Sequence, residues 1–500
     1  MKKRILTLTI FFVAGVFTSC NDFLERTPQS LAVDEKFWTT ESEAQAGVLG
    51  GYSLLREALS NVMAYWAYGD VPTGEFTDVA GYDFEPVRQF NLSLSVPAAE
   101  FWRPMRRYRD WSSFYKVIDQ SNRIIERVSA IPEGSFTRLD KNHLVGEGYF
   151  LRAFTYFYMT RIWGGVPLIT KAYNDPLTAS FYVERATEEE VHQQIESDIE
   201  KAIELLTAEQ LGRPGSRANR AVAYALKAHL RAWQGDYTNA LEALNSFEAE
   251  GGYGYGPRTG PAYLDRFYHG NTEDNVFYIP RLIEDNESSN RWGGAIDSDI
   301  GNNTGVWIGN ERYHIQQDKE APNWQMNKTR LAELYTSTDS VDFRYKYGFK
   351  YTEAPYNFPV VMKYLNFSVG SAVDVSRYSY VINIFRYTEL RLLKAEALAA
   401  LGQGEGLTIL NEVRKKNNLP VWDGTGTLYE AVMEERAREL FLEGHRFYDM
   451  VRMAKYKGVF KFTNMTQGEF TDGKYYWPVD PLLFTNNPSL KQTAYWSSLL

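Results

Sequence analysis

Apolar residues recur with the period of an amphipathic helix in several long segments of the chain. In residues 114–128, 191–206 and 390–401 the apolar positions are one, three or four residues apart, so each set lies on one helix face. Thr187 precedes the second segment and has Glu190 three residues further on, which is the capping-box pattern of a helix start. The pattern therefore predicts that the body of the protein is mainly α.

Two segments also read as helix pairs. Residues 221–244 (AVAYALKAHLRAWQGDYTNALEAL) place a turn at Gly235 between two apolar stripes, with small and large residues alternating on the first. Residues 386–414 (RYTELRLLKAEALAALGQGEGLTILNEVR) repeat the arrangement around Gly402 and Gly404. This pattern is typical of tetratricopeptide helix-turn-helix units. We expect a scaffold of tetratricopeptide-like helix pairs, the alternative being unrelated amphipathic hairpins.

A long irregular, loop-rich insertion separates the two helix pairs. It spans residues 249–385, opens with the breaker cluster GGYGYGPRTGP and carries short strand-like runs at 275–279 and 378–382. Residues 66–111 form a second irregular region that is rich in aromatic side chains. Since binding usually resides in irregular segments held by a rigid frame, both regions are candidate ligand-binding regions.

The amino terminus has the pattern of an export signal. Lys2, Lys3 and Arg4 precede an apolar run at residues 5–17, which is too short to span a bilayer. The sole cysteine, Cys20, follows at once and resembles the lipidated residue of a bacterial lipoprotein. We interpret residues 1–19 as a signal peptide and Cys20 as the lipid attachment site. The alternative is an ordinary secretory signal with a chance cysteine.

The organisation that follows is a single compact domain after Cys20. A helical part at 20–248 includes the aromatic-rich loop region, the insertion follows at 249–385, and a second helical part occupies 386–500.

Composition narrows the range of functions. Of the 500 residues, 44% are hydrophobic and 23% charged, which suits a globular protein with a sizeable core. The net charge of −9 argues against a nucleic-acid partner that binds through bulk charge. A single cysteine excludes intramolecular disulfides and cysteine-rich metal sites. The 34 Tyr, 29 Phe and 12 Trp exceed what one core needs, so some of these rings are available for binding.

Motifs for catalysis, cofactors and metals are absent from the sequence. No zinc-protease, nucleotide-loop or serine-hydrolase pattern occurs, and the six histidines are scattered. Asp297, Asp299 and Asn303 depart from a calcium loop because Gly301 takes a ligand position. We therefore predict no catalytic residue, no cofactor and no metal.

Two groups of charged residues could be mistaken for an active site. Glu389 and Glu396 share a helix face and could form a carboxylate pair, although buried glutamates satisfied by arginine are the commoner case. Residues 434–452 alternate in sign every three or four positions, which favours an ion-pair lattice over a catalytic cluster.

Three segments carry a resemblance to a known family. They are EGYFLRAFTYFYMTRIWGGVPLI at 147–169, EERARELFLEGHRFYDMVR at 434–452 and GKYYWPVDPLLFTNNPSLKQTAY at 473–495. Together with the lipoprotein-like start, they resemble the SusD/RagB family of Bacteroidota outer-membrane lipoproteins over nearly the whole chain. A departure is the spacing of Pro478 and Pro481, where the family more usually has Pro-Ile-Pro.

The resemblance implies a function as well as a fold. Such proteins have four tetratricopeptide-like helix pairs and an irregular ligand-binding part. They lie lipid-anchored on the cell-surface side of the outer membrane, over a SusC-like TonB-dependent transporter. They bind oligosaccharides, or peptides in one branch, deliver them to the transporter and are not enzymes. The motif residues Arg152, Glu443, Arg446 and Asp449 are interpreted as structural.

The ligand residues are predicted from regional composition, because aromatic rings cover the C–H face of a sugar while polar groups bond its hydroxyls. We expect two or three of five rings to touch an oligosaccharide ligand, and the alternative for each is partial burial in a loop cluster. The five candidates are Tyr82, Trp102, Trp292, Trp307 and Trp324. Asp70, Asp78 and Asp83 lie nearby in sequence as possible hydroxyl acceptors.

Three other functions remain open on the sequence. A peptide-binding lipoprotein of the same architecture would present charged subsites instead of aromatic platforms. An α-helical glycoside hydrolase would need two carboxylates about 5–10 Å apart in a cleft. A purely structural tetratricopeptide adaptor would dock proteins along its concave face.

Overall fold

A computed structural model describes residues 37–79, 83–100, 102–173, 182–282, 289–290, 324–335, 341–351, 358–369 and 376–500. The signal segment and Cys20 lie outside these residues. The α-helices of the described part are α1 (Glu41–Ser60), α2 (Ala64–Gly69), α3 (Phe84–Arg88), α4 (Pro104–Arg109), α5 (Ser112–Arg123), α6 (Lys141–Trp163), α7 (Glu188–Leu205), α8 (Arg220–Trp233), α9 (Tyr237–Glu250), α10 (Asp265–Tyr268), α11 (Lys328–Leu334), α12 (Phe343–Gly348), α13 (Tyr387–Ala400), α14 (Glu405–Lys416), α15 (Leu428–Glu439), α16 (Arg446–Lys457), α17 (Gln467–Thr471) and α18 (Pro481–Asn486).

The strands are short and lie mostly in the insertion. They are β1 (Phe76–Val79), β2 (Asn275–Arg281), β3 (Ser289–Asn290), β4 (Trp324–Met326), β5 (Phe349–Tyr351), β6 (Pro359–Val361), β7 (Phe367–Val369), β8 (Ser376–Tyr378) and β9 (Tyr380–Arg386). All pairings are antiparallel: β1 with β4, β2 with β9, β5 with β6, and β8 between β3 and β7. The predicted fold class, mainly α with short strands in an irregular insertion, is confirmed.

The long helices pack in sequence order to form the frame. α1 packs on α5, and each helix from α5 to α9 packs on the next one along the chain. α9 then packs directly on α13, which pairs with α14 and α15, so the frame continues across the insertion. The predicted helix pairs at 221–244 and 386–414 are α8–α9 and α13–α14.

Helix α6 is the centre of the frame. Every residue from Phe150 to Trp163 is buried, which accounts for a sequence that is apolar and aromatic on all sides. Asp140 caps its first turn by accepting from the backbone N–H of Asn142 at 2.8 Å. The predicted capping box of α7 is present as well, with Thr187 and Glu190 each accepting from the other's backbone.

The insertion is fastened to the frame where its two strand-like runs meet. β2 contains the first run and β9 begins within the second, and the two strands pair from Asn275–Arg386 to Arg281–Tyr380. β9 leads without a break into α13, and the Tyr387 N–H donates to the Asp274 carbonyl at 2.8 Å. The irregular segment is therefore an outgrowth whose start and end are held together at the frame. Within the described residues, no helix has the length and apolar character needed to cross a membrane.

Candidate ligand-binding face

The two aromatic-rich irregular regions meet at one sheet. β1 belongs to the first region and β4 to the insertion, and they pair with Phe76 opposite Met326 and Val79 opposite Trp324. The Asn327 N–H extends the contact by donating to the Glu75 carbonyl at 2.9 Å. This junction brings together segments that are about 250 residues apart in the sequence, and we take it as the candidate ligand-binding face.

Trp324 is a core residue at this junction. Its side chain is 0% exposed, and its ring packs edge-on against Phe76 at 5.5 Å and Phe84 at 5.7 Å between ring centroids. A sugar needs an exposed ring face, so the expectation that Trp324 contacts a ligand is corrected here. The physical reason is that strand pairing with β1 turns the indole into the interior.

Trp102 is placed differently, with 44% of its surface exposed. It lies just before α4, next to Arg103, which forms ion pairs with Glu100 at 3.0 Å and with the buried Asp83. Asp83 also accepts from the backbone N–H of Met105 at 3.1 Å. The chain that follows Trp102 is therefore held at Arg103 and Met105.

The other three predicted rings cannot be compared with the structure. Tyr82, Trp292 and Trp307 lie outside the described residues, and their contact with a ligand stays a prediction.

Two of the three acidic residues proposed as hydroxyl acceptors, Asp70 and Asp83, are already hydrogen-bonded to other groups of the protein. Asp70 is fully buried and accepts from the Gly444 N–H at 2.7 Å. Burial, reinforced by the neighbouring carboxyl of Glu75, raises the pKa of Asp70 well above its usual value. Asp83 is bonded to Arg103, as described above. Neither carboxyl is placed to bond a sugar hydroxyl, and the side chain of Asp78 lies outside what the structure describes.

The charged run at 434–452 forms a buried ion-pair lattice. Arg436 on α15 bonds Glu389 on α13 at 3.1 Å and Asp449 on α16 at 2.9 Å. Arg452 bonds Glu396 at 2.7 Å. These ion pairs join three helices of the frame, as the alternating charges predicted.

Glu389 and Glu396 do not form an accessible carboxylate pair, because both are 0% exposed. Glu389 also faces the imidazole of His229 at 3.1 Å. Burial alone would raise the pKa of Glu389, but the neighbouring His229, which shares a hydrogen bond with it, and the guanidinium of Arg436 lower it below its usual range. The carboxyl is therefore an ionised ion-pair partner, unlike the protonated acid that glycoside hydrolysis needs.

A cavity beside α4 was missed by sequence reasoning. It has a volume of about 260 Å³, and we refer to it as the α4 cavity. Its lining residues are Ser93, Ser95, Val96, Ala98, Arg106, Arg109, Asp480, Pro481, Leu482, Leu499 and Leu500. The signal that could have indicated it is the cluster of four arginines within residues 103–109 of an acidic chain.

Two family models match the chain. One, described as starch-binding and associating with the outer membrane, matches residues 38–231. The other, described as the SusD family, matches residues 300–496. Both describe SusD-like proteins, and they match two separate parts of this chain. The chain belongs to the SusD/RagB family.

Relatives agree with this assignment to the SusD/RagB family, and a solved structure shares the fold. A SusD-like protein of Formosa agariphila is 28% identical, with 99% of each chain covered. The starch-binding protein SusD of Bacteroides thetaiotaomicron is 34% identical over 119 residues, which cover 23% of this chain and 19% of that protein. A crystal structure of a SusD superfamily protein from Bacteroides thetaiotaomicron matches the fold with a TM-score of 0.75 at 24% identity, covering 92% of this chain and 99% of that one.

The motif residues of this SusD/RagB chain lie in the frame. Arg152 on α6 pairs with Asp198 on α7 at 2.6 Å, and both are buried. Glu443 accepts from Lys363 at 2.6 Å, and Arg446 faces Glu75 at 3.2 Å. Each pair joins segments that are distant in sequence, as expected for residues that stabilise the fold.

Proposed function

We propose that this protein is a lipoprotein of the outer-membrane surface that binds oligosaccharides and delivers them to a SusC-like TonB-dependent transporter. The observation that carries the proposal is membership of a family whose matching model is described as starch-binding and associating with the outer membrane. The Bacteroides thetaiotaomicron relative is named a starch-binding protein, which supports the same ligand class.

The geometry of the candidate face supports binding of a ring. Trp102 offers an exposed indole next to Arg103, whose side chain is held by two ion pairs, and a tryptophan has only two χ angles to order on stacking. Tyr82, Trp292 and Trp307 belong to the two regions that the β1–β4 pairing joins, and we propose that they complete the binding surface around Trp102.

We further propose that the protein does not alter its ligand. The carboxylates that most resembled a catalytic pair, Glu389 and Glu396, are buried and ion-paired. Purified protein incubated with candidate polysaccharides should release no reducing ends above a buffer blank. Release that rises with protein concentration would overturn this part of the proposal.

Affinity electrophoresis in gels containing candidate glycans tests binding. We expect retardation of the wild-type chain by at least one glycan, and its loss when Tyr82, Trp102, Trp292 and Trp307 are all replaced by alanine. Leu401→Ala is the matched control, because Leu401 is an exposed apolar residue (39%) at the end of α13. Unchanged retardation of the fourfold variant would contradict the proposed face. Retardation by peptides alone would favour the peptide-binding alternative.

Delivery requires a partner in the outer membrane. When the tagged protein is purified from detergent-solubilised outer membranes, a large channel-forming transporter should co-purify with it in an amount comparable to that of the tagged protein. A preparation that binds glycan but contains no such partner would contradict the delivery step and leave the binding step intact.

A further inference from the structure

Helix α4 carries more positive charge than its surroundings balance. Of its six residues, Arg106, Arg107 and Arg109 are basic. Arg107 is exposed and bonds Asn61 at 2.6 Å. Arg106 and Arg109 lie three residues apart on the same face and are only 7% and 2% exposed. Burial of two neighbouring guanidinium groups is costly unless anions compensate them.

Arg106 forms an ion pair with Asp480 at 3.2 Å between Nη2 and Oδ1. Among the described residues, no other carboxylate lies within ion-pair distance of Arg106. Oδ1 of Asp480 also accepts from the Leu482 N–H at 2.9 Å as the cap of α18. Arg106 therefore has one ion-pair partner, which already accepts a second hydrogen bond, and Arg109 has none at ion-pair distance among the described residues.

Arg109 is poorly satisfied by the protein. Its Nη1 donates to the Leu92 carbonyl at a long 3.3 Å, and its Nε has no hydrogen-bond partner among the described residues. Burial lowers the pKa of Arg109, Asp480 opposes this, and the nearby charge of Arg106 lowers it further. A buried donor without an acceptor destabilises the fold, more so when it is charged, and an added anion would recover that loss.

The α4 cavity opens at these two arginines. Asp480, the ion-pair partner of Arg106, also lines it, which leaves Arg109 as the cation without a carboxylate at ion-pair distance among the described residues. The rest of the wall includes aliphatic side chains at Val96, Leu482 and Leu499 and hydroxyls at Ser93 and Ser95. Its volume of about 260 Å³ is just below the ~300–1,000 Å³ of ordinary small-molecule sites, so it suits one ring better than a chain of rings. An aliphatic wall, two hydroxyls and paired guanidinium groups match a small hydroxylated ring that bears one anionic group.

We propose that the α4 cavity is a subsite for the anionic substituent of an acidic saccharide unit, a carboxylate or a sulfate held by Arg106 and Arg109. Guanidinium groups bind either anion through paired N–H donors. This inference rests on the proposed function, since it specifies which class of oligosaccharide the protein takes. Trp102 lies between the cavity-lining Ala98 and Arg106 in the chain, so the ring platform and the anion subsite share one segment.

Titration calorimetry with three monosaccharides tests the subsite: D-glucuronate, D-glucose 6-sulfate and D-glucose. We expect one or both anionic sugars to bind at least tenfold more tightly than glucose, and the stronger of the two identifies the substituent. Arg109→Gln should lower that affinity at least tenfold. Arg107→Gln, the matched control on the exposed face of the same helix, should change it less than twofold.

A second variant guards against misfolding of the buried site. Leu482→Glu places a negative charge at the cavity wall on a residue that is 43% exposed, so the fold should be retained. We expect it to weaken the anionic sugar at least fivefold. Equal binding of all three sugars, no binding of either anionic sugar, or equal effects of Arg107→Gln and Arg109→Gln would overturn the proposal.

The subsite and the proposed function can fail separately. If neutral oligosaccharides retard the protein in gels while the anionic sugars show no preference that depends on Arg109, the function stands and the subsite is wrong. If the anionic monosaccharide binds through Arg109 but no oligosaccharide is retained, the cavity is a site for free acidic sugars and the uptake function is wrong.

Discussion

At the scale of single residues, buried charge is what holds the frame of this protein. Arg436 lies at the centre of the lattice, is 0% exposed and contacts carboxylates from two other helices. Without this guanidinium, Asp449 would keep only Arg452 as an ion-pair partner, and Glu389 would keep only the imidazole of His229. A buried pair adds little net stability, but breaking one is expensive.

Replacement of Arg436 by methionine should therefore lower the free energy of unfolding by about 3–5 kcal/mol. Urea denaturation followed by tryptophan fluorescence measures the loss. Lys201→Met is the control, because Lys201 and Glu204 form an exposed pair whose side chains are 53% and 62% accessible. That change should cost less than about 1 kcal/mol. Similar losses for both variants would contradict a lattice that depends on burial.

His445, which precedes α16, predicts a pH dependence. Burial lowers the pKa of His445 to about 4, from an ordinary value of 6.5. The folded protein then binds fewer protons at this residue than the unfolded chain, so stability is fully present above pH 6.5 and is lost as the pH falls to 4. The shift corresponds to about 3 kcal/mol. Unfolding free energies at pH 7 and pH 4.5 should differ less in His445→Asn than in the wild type, and an unchanged difference would refute this.

At the scale of elements, helix positions follow from the local sequence, whereas strand partners depend on residues far away in the chain. The periodic segments at 191–206 and 390–401 became α7 and α13, and the Thr187 capping box formed as predicted. Helix position depends on neighbours within four residues, so sequence carries it. The β1–β4 pairing joins residues about 250 positions apart through three-residue and four-residue strands, and no local pattern specifies that partner.

Close approach between elements is also decided outside the local sequence. Gly69 ends α2 against the turn that contains Gly444, and a Cβ at Gly69 would lie 2.5 Å from the Gly444 Cα. This backbone cannot move aside easily, because the Gly444 N–H donates to the buried Asp70.

Gly69→Ala should therefore destabilise the protein by about 1–3 kcal/mol through overpacking. Gly134→Ala is the matched control, since a Cβ there meets nothing within 4 Å. Thermal melts of the two variants under identical conditions measure the difference. Equal melting temperatures would show that α2 does not press on this turn.

At the scale of the whole molecule, ion pairs lock the insertion to the frame. Arg386 at the end of β9 bonds Asp274 at 2.7 Å and Glu443 at 2.7 Å, and Arg266 also bonds Asp274. Burial would raise the pKa of Asp274, but the charges of Arg386 and Arg266 lower it below its usual range. The base of the insertion therefore has one fixed position against α15 and α16, which would hold a ligand-binding outgrowth in a constant orientation.

Attachment to the membrane is the prediction that concerns the whole molecule. Cys20→Ser should move the protein from the outer-membrane fraction to the soluble fraction, because the lipid chains contribute about 0.8 kcal/mol per buried CH₂. Mass spectrometry of the wild-type amino terminus should show an acylated cysteine. A serine variant that still sediments with membranes would contradict lipid anchoring as the means of attachment.

For the candidate ligand-binding face, too, the sequence predicted some features and only the structure decided others. The aromatic composition of 66–111 and 249–385 was visible in the sequence, and Trp102 is exposed as a platform requires. Trp324 was indistinguishable from it by composition, yet it is buried against Phe76 and Phe84. Whether a loop tryptophan faces solvent depends on which strand it pairs with, and that partner lies in another part of the chain.

The sequence by itself determined the long periodic helices, the helix pairs and the family, because these depend on short-range periodicity and on contiguous motifs. Only the tertiary structure decided that Trp324 belongs to the core, that the two aromatic regions meet, and that Arg106 and Arg109 share a cavity with the carboxyl-terminal segment. Each of these features depends on burial of a side chain by a segment that is distant in sequence. Such burial exists only once the chain has folded, so local sequence patterns do not predict it.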